Sequence, residues 1–223
     1  MKLVVVGGHG RDVGKTLVVS GIIRGLRSLD WTAVKITPHG HGFEPIERSG
    51  AAGPAGRGFL LTEERSPLAR GDTGRFLAAG ARRALLLRVQ PGSLPEALPA
   101  LKQALGTARF VVIESNSILS FLKPAVSVFV LAKARRDFKT SARKFVHRAD
   151  ALVGVGPGSN PPAWRGIVPG LIKTQPTFLI SSGGRISLEL CRFVRRRLAR
   201  AEEDPWSRIP SPSHEIKEQQ WLH

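Results

Sequence analysis

The chain is expected to fold as an α/β three-layer sandwich around a mostly parallel central sheet. Three observations predict this. Short apolar runs of strand length alternate with segments whose apolar residues recur at helical spacing, the pattern of a sheet covered on both faces. The first run, Leu3-Val4-Val5-Val6, passes through a glycine-rich turn directly into such a segment. A second apolar run, Trp31 to Thr37, follows within about forty residues of the start and completes a right-handed strand–helix–strand crossover.

The elements follow in order. Leu3–Val6 is a buried strand, and Leu17 to Leu26 carries apolar residues at helical spacing. Trp31 to Thr37 is the second strand, closed by Pro38 and the loop His39-Gly40-His41-Gly42. Gly50 to Gly58 is rich in Gly, Ala and Pro without an apolar face, so a long loop is expected there. Phe59-Leu60-Leu61-Thr62 can form a short strand beside it. Asp72 or Thr73 can cap a short helix over Gly74 to Ala79, which Gly80 can end. Ala84–Val89 and Phe110–Ile113 read as buried strands flanking a helix from Leu94 to Leu105. Val126–Leu131 and Ala151–Val155 repeat the strand signal around a helix from Phe138 to His147. Gly156 to Pro162 is a turn or loop, Thr177–Ile180 the last strand, and Leu188 to Arg200 a basic amphipathic helix. One domain thus spans residues 1–203. From Asp204 the chain carries Pro205, Pro210 and Pro212 with little apolar content, so 204–223 is expected to be extended or disordered unless docked through Trp206 or Trp221.

The turn after the first strand reads Gly7-Gly8-His9-Gly10-Arg11-Asp12-Val13-Gly14-Lys15-Thr16. Strand, glycine-rich turn, then Gly-Lys-Thr opening a helix is the context of a phosphate-binding loop. Its glycines let backbone N–H groups turn inward around phosphate oxygens, and the helix N-terminus adds partial positive charge. The predicted sandwich is therefore of the P-loop NTPase type. Nucleotide contact is assigned to Gly8, His9, Gly10, Arg11, Asp12, Val13, Gly14, Lys15, Thr16 and Leu17. Lys15 would reach the β- and γ-phosphates and the Thr16 hydroxyl would ligate Mg²⁺. Gly8 leaves five residues before Gly14, one more than the commonest spacing.

Composition bounds the partners. A hydrophobic share of 42% marks a folded chain. No run approaches a membrane span, and the first residues lack the basic-then-apolar order of a secretory signal, so a cytoplasmic protein is expected. The single Cys191 excludes an internal disulfide and any site needing two thiolates. A net charge of +17 attracts polyanions: nucleotides, phosphorylated or acidic second substrates, nucleic acid or an acidic partner. Its arginines are spread along the chain, so charge alone names no partner.

Further positions carry candidate chemistry. Phe110–Ile113 delivers Glu114 to a strand's carboxyl end, where an acid can hold Mg²⁺ beside a nucleotide or simply face solvent. Ser115-Asn116-Ser117 supply hydrogen-bonding groups for a γ-phosphate, a water or a second substrate, or shape a turn. Asp72 can hold or orient a water near the γ-phosphate, or cap its helix. Lys35 ends an apolar strand, an odd place for a lysine unless its head meets a phosphate or carboxylate. Catalytic roles are thus assigned to Lys15, Lys35, Asp72 and Glu114, and metal ligation to Thr16, Asp72 and Glu114. His39 and His41 form a His-x-His pair without an evident third ligand, and Trp164 or Phe178 can stack on a base or pack in the core.

The string Asp72-Thr73-Gly74-Arg75-Phe76-Leu77-Ala78-Ala79-Gly80-Ala81 resembles one in molybdopterin-guanine dinucleotide biosynthesis B-type proteins. Those proteins also place a phosphate loop first, then a strand ending in lysine and a histidine-bearing loop, as Val34-Lys35 and His39-Gly40-His41 do here. The longer loop with Asp12-Val13 before Gly14 is similar to that of dethiobiotin synthetases, in the same wider class. The resemblance departs at Gly71, where the family has lysine, and at Ser115, where it has glycine. It implies a Mg²⁺-dependent protein acting on GTP or ATP in molybdenum-cofactor or similar metabolism, and by analogy a homodimer. An ATP-dependent synthetase or small-molecule kinase is the second reading, and a basic module binding nucleic acid or a partner the third.

Overall fold

The apolar run at the N-terminus becomes the interior of the sheet because nothing in it needs water. Leu3, Val4, Val5 and Val6 are all buried, and they form β1 (Lys2–Gly8). A computed structural model describes residues 1–38, 58–132, 137–156, 175–180 and 185–207. After β1 come α1 (Lys15–Gly25), β2 (Trp31–Pro38), β3 (Phe59–Glu64), α2 (Asp72–Ala78), β4 (Arg83–Val89) and α3 (Leu94–Leu105). Then follow β5 (Phe110–Glu114), a 3-10 turn (Ser117–Ser120), β6 (Val126–Ala132), α4 (Thr140–Val146), β7 (Ala151–Val155), β8 (Thr177–Ile180) and α5 (Leu188–Arg200).

The sheet runs β3-β4-β2-β5-β1-β6-β7-β8. Only β3, at the edge, is antiparallel to its neighbour, β4. Strand alternation divides the core. Val4 and Val6 join Val18, Ile22 and Ile23 of α1, Phe76 of α2, and Leu190, Val194 and Leu198 of α5. Leu3 and Val5 join Leu98, Leu101 and Leu105 of α3, while Phe129 and Leu131 join Ala142 and Val146 of α4. The chain is therefore an α/β three-layer sandwich around a mostly parallel central sheet. Each fully buried aliphatic side chain adds about 1.5–3 kcal/mol, so the layers supply the stability and the loops at strand ends need not.

Two helices start elsewhere than expected. Helix α2 starts at Asp72 itself, with Gly71 at the N-cap (φ 125°), which has no side chain to cap with, and the Asp72 carboxylate pairs with Lys35. Helix α4 begins only at Thr140: Phe138 packs its ring against His9 and Phe129, and Lys139 is extended. Trp206 is docked in the α3 layer, 4% exposed, with its indole N–H on Met1 Sδ at 3.5 Å. Phe178 packs on Phe193, their ring centroids 5.6 Å apart. His39, His41, Trp164, Trp221 and nearly all of the Gly50–Gly58 stretch lie outside the described residues. Among the described residues no helix is long and apolar enough to cross a membrane.

Candidate functional site: a glycine-rich loop backed by an ionic cluster

The glycine-rich turn leaves the sheet between two clamps. On one side Asn116 grips Gly8: the Gly8 N–H donates to Asn116 Oδ1 at 2.8 Å, and Asn116 Nδ2 donates to the Gly8 carbonyl at 2.9 Å. A Cβ on Gly7 would stand 2.5 Å from Asn116 Oδ1, so the close approach requires glycine there. On the other side His9 turns fully into the core. Its Nε2 accepts from the Ala132 N–H at 2.9 Å, and its carbonyl accepts from the Lys139 N–H at 3.0 Å. The turn then passes exposed Arg11 and Asp12 (φ 53°), buried Val13, and Gly14 in the left-handed region (φ 96°), where α1 begins. His9 and Val13 thus offer the loop their backbone, not their side chains.

Lys15 follows at the first helical position. Its ammonium donates to the Gly10 carbonyl at 2.6 Å and so lies back over the loop. Burial lowers its pKa, and Lys35 and Lys139 add to that against the opposing pull of Glu114 and Asp12. Thr16 comes next, its hydroxyl donating to Glu114 Oε2 at 2.9 Å.

Strand register assembles the rest. Lys35 of β2 is the register partner of Glu114 of β5, which is also paired with Val6 of β1. Ala33 and Val112, two residues earlier on each strand, lie in the core under α1 and α2, so Lys35 and Glu114 emerge toward the same helices. There the Lys35 ammonium bonds Glu114 Oε1 and stands 2.7 Å from Asp72 Oδ2. Glu114 is 1% exposed, Lys35 18% and Asp72 30%. Burial alone would lower the Lys35 pKa, but the two carboxylates outweigh it and raise the value. For Asp72 burial works upward, and Lys35, helped by Thr16 and Arg75, holds the pKa below the usual carboxylate value.

A cleft of about 330 Å³ opens above this cluster. Gly8, Gly10, Arg11 and Lys15 of the turn line it, with Lys35 and Glu114 of the cluster. Thr37 and Pro38 of β2, Gln90 to Gly92, Ser115 to Ser117 and Lys139 line it as well. The turn is therefore open to an anion, with the Lys15 head inside it. Thr16, Asp72 and Glu114 present hard oxygen donors side by side. Among the described residues no group of three or more His, Cys, Asp or Glu could hold a metal ion. Mg²⁺ needs none, since one or two carboxylates plus substrate phosphates and water suffice. The residues present fit that ion.

The geometry brings together Lys15, Thr16, Lys35, Asp72 and Glu114, all singled out from sequence. Two participants had weaker signals. Asn116 stood in a polar run read as phosphate-binding or turn-forming, and its grip on Gly8 depends on a register no spacing reveals. Lys139 was only a basic residue near a helix start.

No family model and no curated protein matches the chain. Among solved structures it is similar to the apo form of LpxK from Aquifex aeolicus in complex with ATP, at 17% identity and a TM-score of 0.46, over 80% of this chain and 53% of that one. It is also similar to HypB from Helicobacter pylori in complex with nickel, at 13% identity and a TM-score of 0.44, over 88% and 86%. The chain spans about half the length of the LpxK structure. Both are likenesses of fold.

Proposed function

We propose that this protein binds a nucleoside triphosphate, GTP or ATP, together with Mg²⁺ and hydrolyses it. The observation that carries the reading is the open turn with the Lys15 ammonium inside it, adjoining the Thr16–Glu114 hydrogen bond. Backbone N–H groups of Gly10 to Lys15 and the Lys15 head would hold the β- and γ-phosphates. Thr16, Glu114 and Asp72 would hold Mg²⁺, whose charge offsets that building on the phosphate oxygens. Lys35 lines the same cleft, where its ammonium can meet the γ-phosphate. Asp72 can orient the attacking water. Catalysis of this kind needs positioning and charge neutralisation, with no covalent intermediate. The likeness of the Asp72–Ala81 string to molybdopterin-guanine dinucleotide biosynthesis B-type proteins suggests cofactor assembly as the setting.

A second reading, phosphoryl transfer to a small acid, is favoured by the polar residues that line the cleft beside the loop. Thr37, Gln90 and Ser117 line the same cleft and offer hydrogen-bonding groups to a second substrate. Calorimetry with ATP and GTP, with and without Mg²⁺, tests the common core of both readings. Micromolar binding by the wild type, lost in Lys15→Ala, is expected; equal binding by both proteins refutes it. ADP or GDP release that depends on an added carboxylic acid would select transfer over hydrolysis.

A further inference from the structure

We infer that the Lys35 ammonium is a built-in placeholder for the divalent cation, holding Asp72 and Glu114 in position until metal and triphosphate enter together. The inference rests on the nucleotide-binding reading above. Its starting point is a coincidence of partners. The oxygens that suit Mg²⁺ are those already engaged: Glu114 Oε1 and Asp72 Oδ2 by Lys35, and Glu114 Oε2 by the Thr16 hydroxyl at 2.9 Å. One cation thus bridges a strand-end acid and a helix-start acid from different parts of the chain.

Burial explains the need. Glu114 is almost wholly removed from solvent, and a buried carboxylate left without a counter-charge is strongly destabilising. Two acids converging on one point would otherwise repel each other. Lys35, anchored at the end of β2 in register with Glu114, supplies the missing charge without any ligand.

The same arrangement works against bare metal. A divalent ion placed between Asp72 and Glu114 would sit against an ammonium that has no other carboxylate beside it among the described residues. A triphosphate changes this balance, because Lys35 lines the cleft shared with Lys15, Gly8 and Gly10. Phosphate oxygens arriving there give the ammonium a new anionic partner, and the two carboxylates become available to the metal. Lys35 is in this respect a positioning residue for the metal site. Its consequence is that the nucleotide-free protein excludes the metal and the metal–nucleotide complex is the species bound.

Mn²⁺ binding to the nucleotide-free full chain, followed by the electron paramagnetic resonance signal of free Mn²⁺, tests this directly. The wild type is expected to bind Mn²⁺ only weakly, while Lys35→Met and Lys35→Gln bind it more tightly by on the order of tenfold or more. Adding Glu114→Gln to Lys35→Met should abolish the gain. Tight Mn²⁺ binding by the nucleotide-free wild type overturns the inference, and this arm needs no variant to fold. Unchanged Mn²⁺ affinity in both folded Lys35 variants overturns it as well. Nucleotide calorimetry on the wild type separates the two levels: no nucleotide binding removes the parent reading, whereas nucleotide binding with no gain in the variants removes this inference alone.

Discussion

Asn116 extends the pairing between β1 and β5 by one step, using a side chain in place of backbone. The last backbone bond of that ladder runs from the Ser115 N–H to the Val6 carbonyl at 3.1 Å. Beyond it, Gly8 gives both its N–H and its carbonyl to the Asn116 amide, at 2.8 and 2.9 Å. The point at which the glycine-rich loop leaves the sheet is therefore fixed from the strand that carries Glu114. Loop and ionic cluster share one frame.

Removing that grip should harm binding more than folding. Asn116→Ala leaves a donor and an acceptor of Gly8 without partners, each worth about 1–3 kcal/mol when buried, and both groups here are only partly buried. A small drop in melting temperature is expected, with nucleotide affinity falling by roughly tenfold or more. Asn116→Asp can still accept from the Gly8 N–H but meets the Gly8 carbonyl with an oxygen. It should bind nucleotide no better than the alanine variant. Wild-type affinity in both variants, measured by calorimetry, would show that the grip is incidental.

Much of this was legible because period and punctuation are local. The apolar runs, Gly-Lys-Thr at Gly14–Thr16 and the acid at Glu114 each lie within one element, and the sheet brought them to one end as parallel α/β topology demands. Lys35 was legible as an anomaly, a charge in an apolar strand. What it contacts was not, because both carboxylates come from distant segments. Asp72 could be read as a helix cap from its neighbours alone; the structure gives its oxygen to Lys35 instead. The role of His9 was hidden for a different reason. A histidine among glycines looks like loop surface, and only the position of the Ala132 N–H makes it core.

Gly14 gives a test of the loop that leaves its charges untouched. Its φ of 96° lies in the left-handed region, and an added Cβ would approach Val155 Cγ2 at 3.2 Å. Gly14→Ala should cost about 1–2 kcal/mol through the backbone alone, with contact against Val155 added. Val155→Ala in the same chain relieves the contact and leaves the backbone strain. Because Val155 also packs against the core, adding Gly14→Ala to Val155→Ala should cost less than adding it to the wild type, with nucleotide affinity still reduced. No loss of either property on adding Gly14→Ala to Val155→Ala would mean that crowding, and not conformation, requires the glycine.

Trp206 tests where the folded unit ends. It is buried with the α3 layer, its indole N–H meets Met1 Sδ, and Lys102 Nζ lies 5.8 Å from its ring centroid. Truncating a buried tryptophan to alanine costs about 3–5 kcal/mol. Trp206→Ala should lower stability by an amount in that range, and deleting residues after 203 should do the same. Nucleotide affinity should stay unchanged, since Trp206 is not among the residues lining the cleft. Urea denaturation gives the first quantity and calorimetry the second. A variant as stable as the wild type would place the end of the folded unit before Trp206.

The two lysines of the site should separate on alkaline titration. Lys15 has a pKa lowered from 10.5, chiefly by burial, while the carboxylates around Lys35 raise its value above 10.5. As pH rises, Lys15 therefore loses its proton first, below 10.5, and Lys35 retains its charge through that window. Nucleotide affinity should begin to fall there, because the ammonium over the loop disappears. Stability should respond with the opposite sign. A lysine whose folded pKa is lowered disfavours the folded state while charged, so its own contribution improves as pH climbs through the folded pKa toward 10.5. The Lys35 contribution is fully present below 10.5 and is lost only as pH rises through its raised folded value. On the acid side, Asp72 stabilises above 3.8 and loses that effect as pH falls through its lowered folded value. Calorimetry across the alkaline range, paired with melting curves, checks the assignment. Lys15→Arg, which keeps its charge throughout, should flatten the alkaline loss of whatever affinity it retains. The same decline in the arginine variant would move the titrating group away from Lys15.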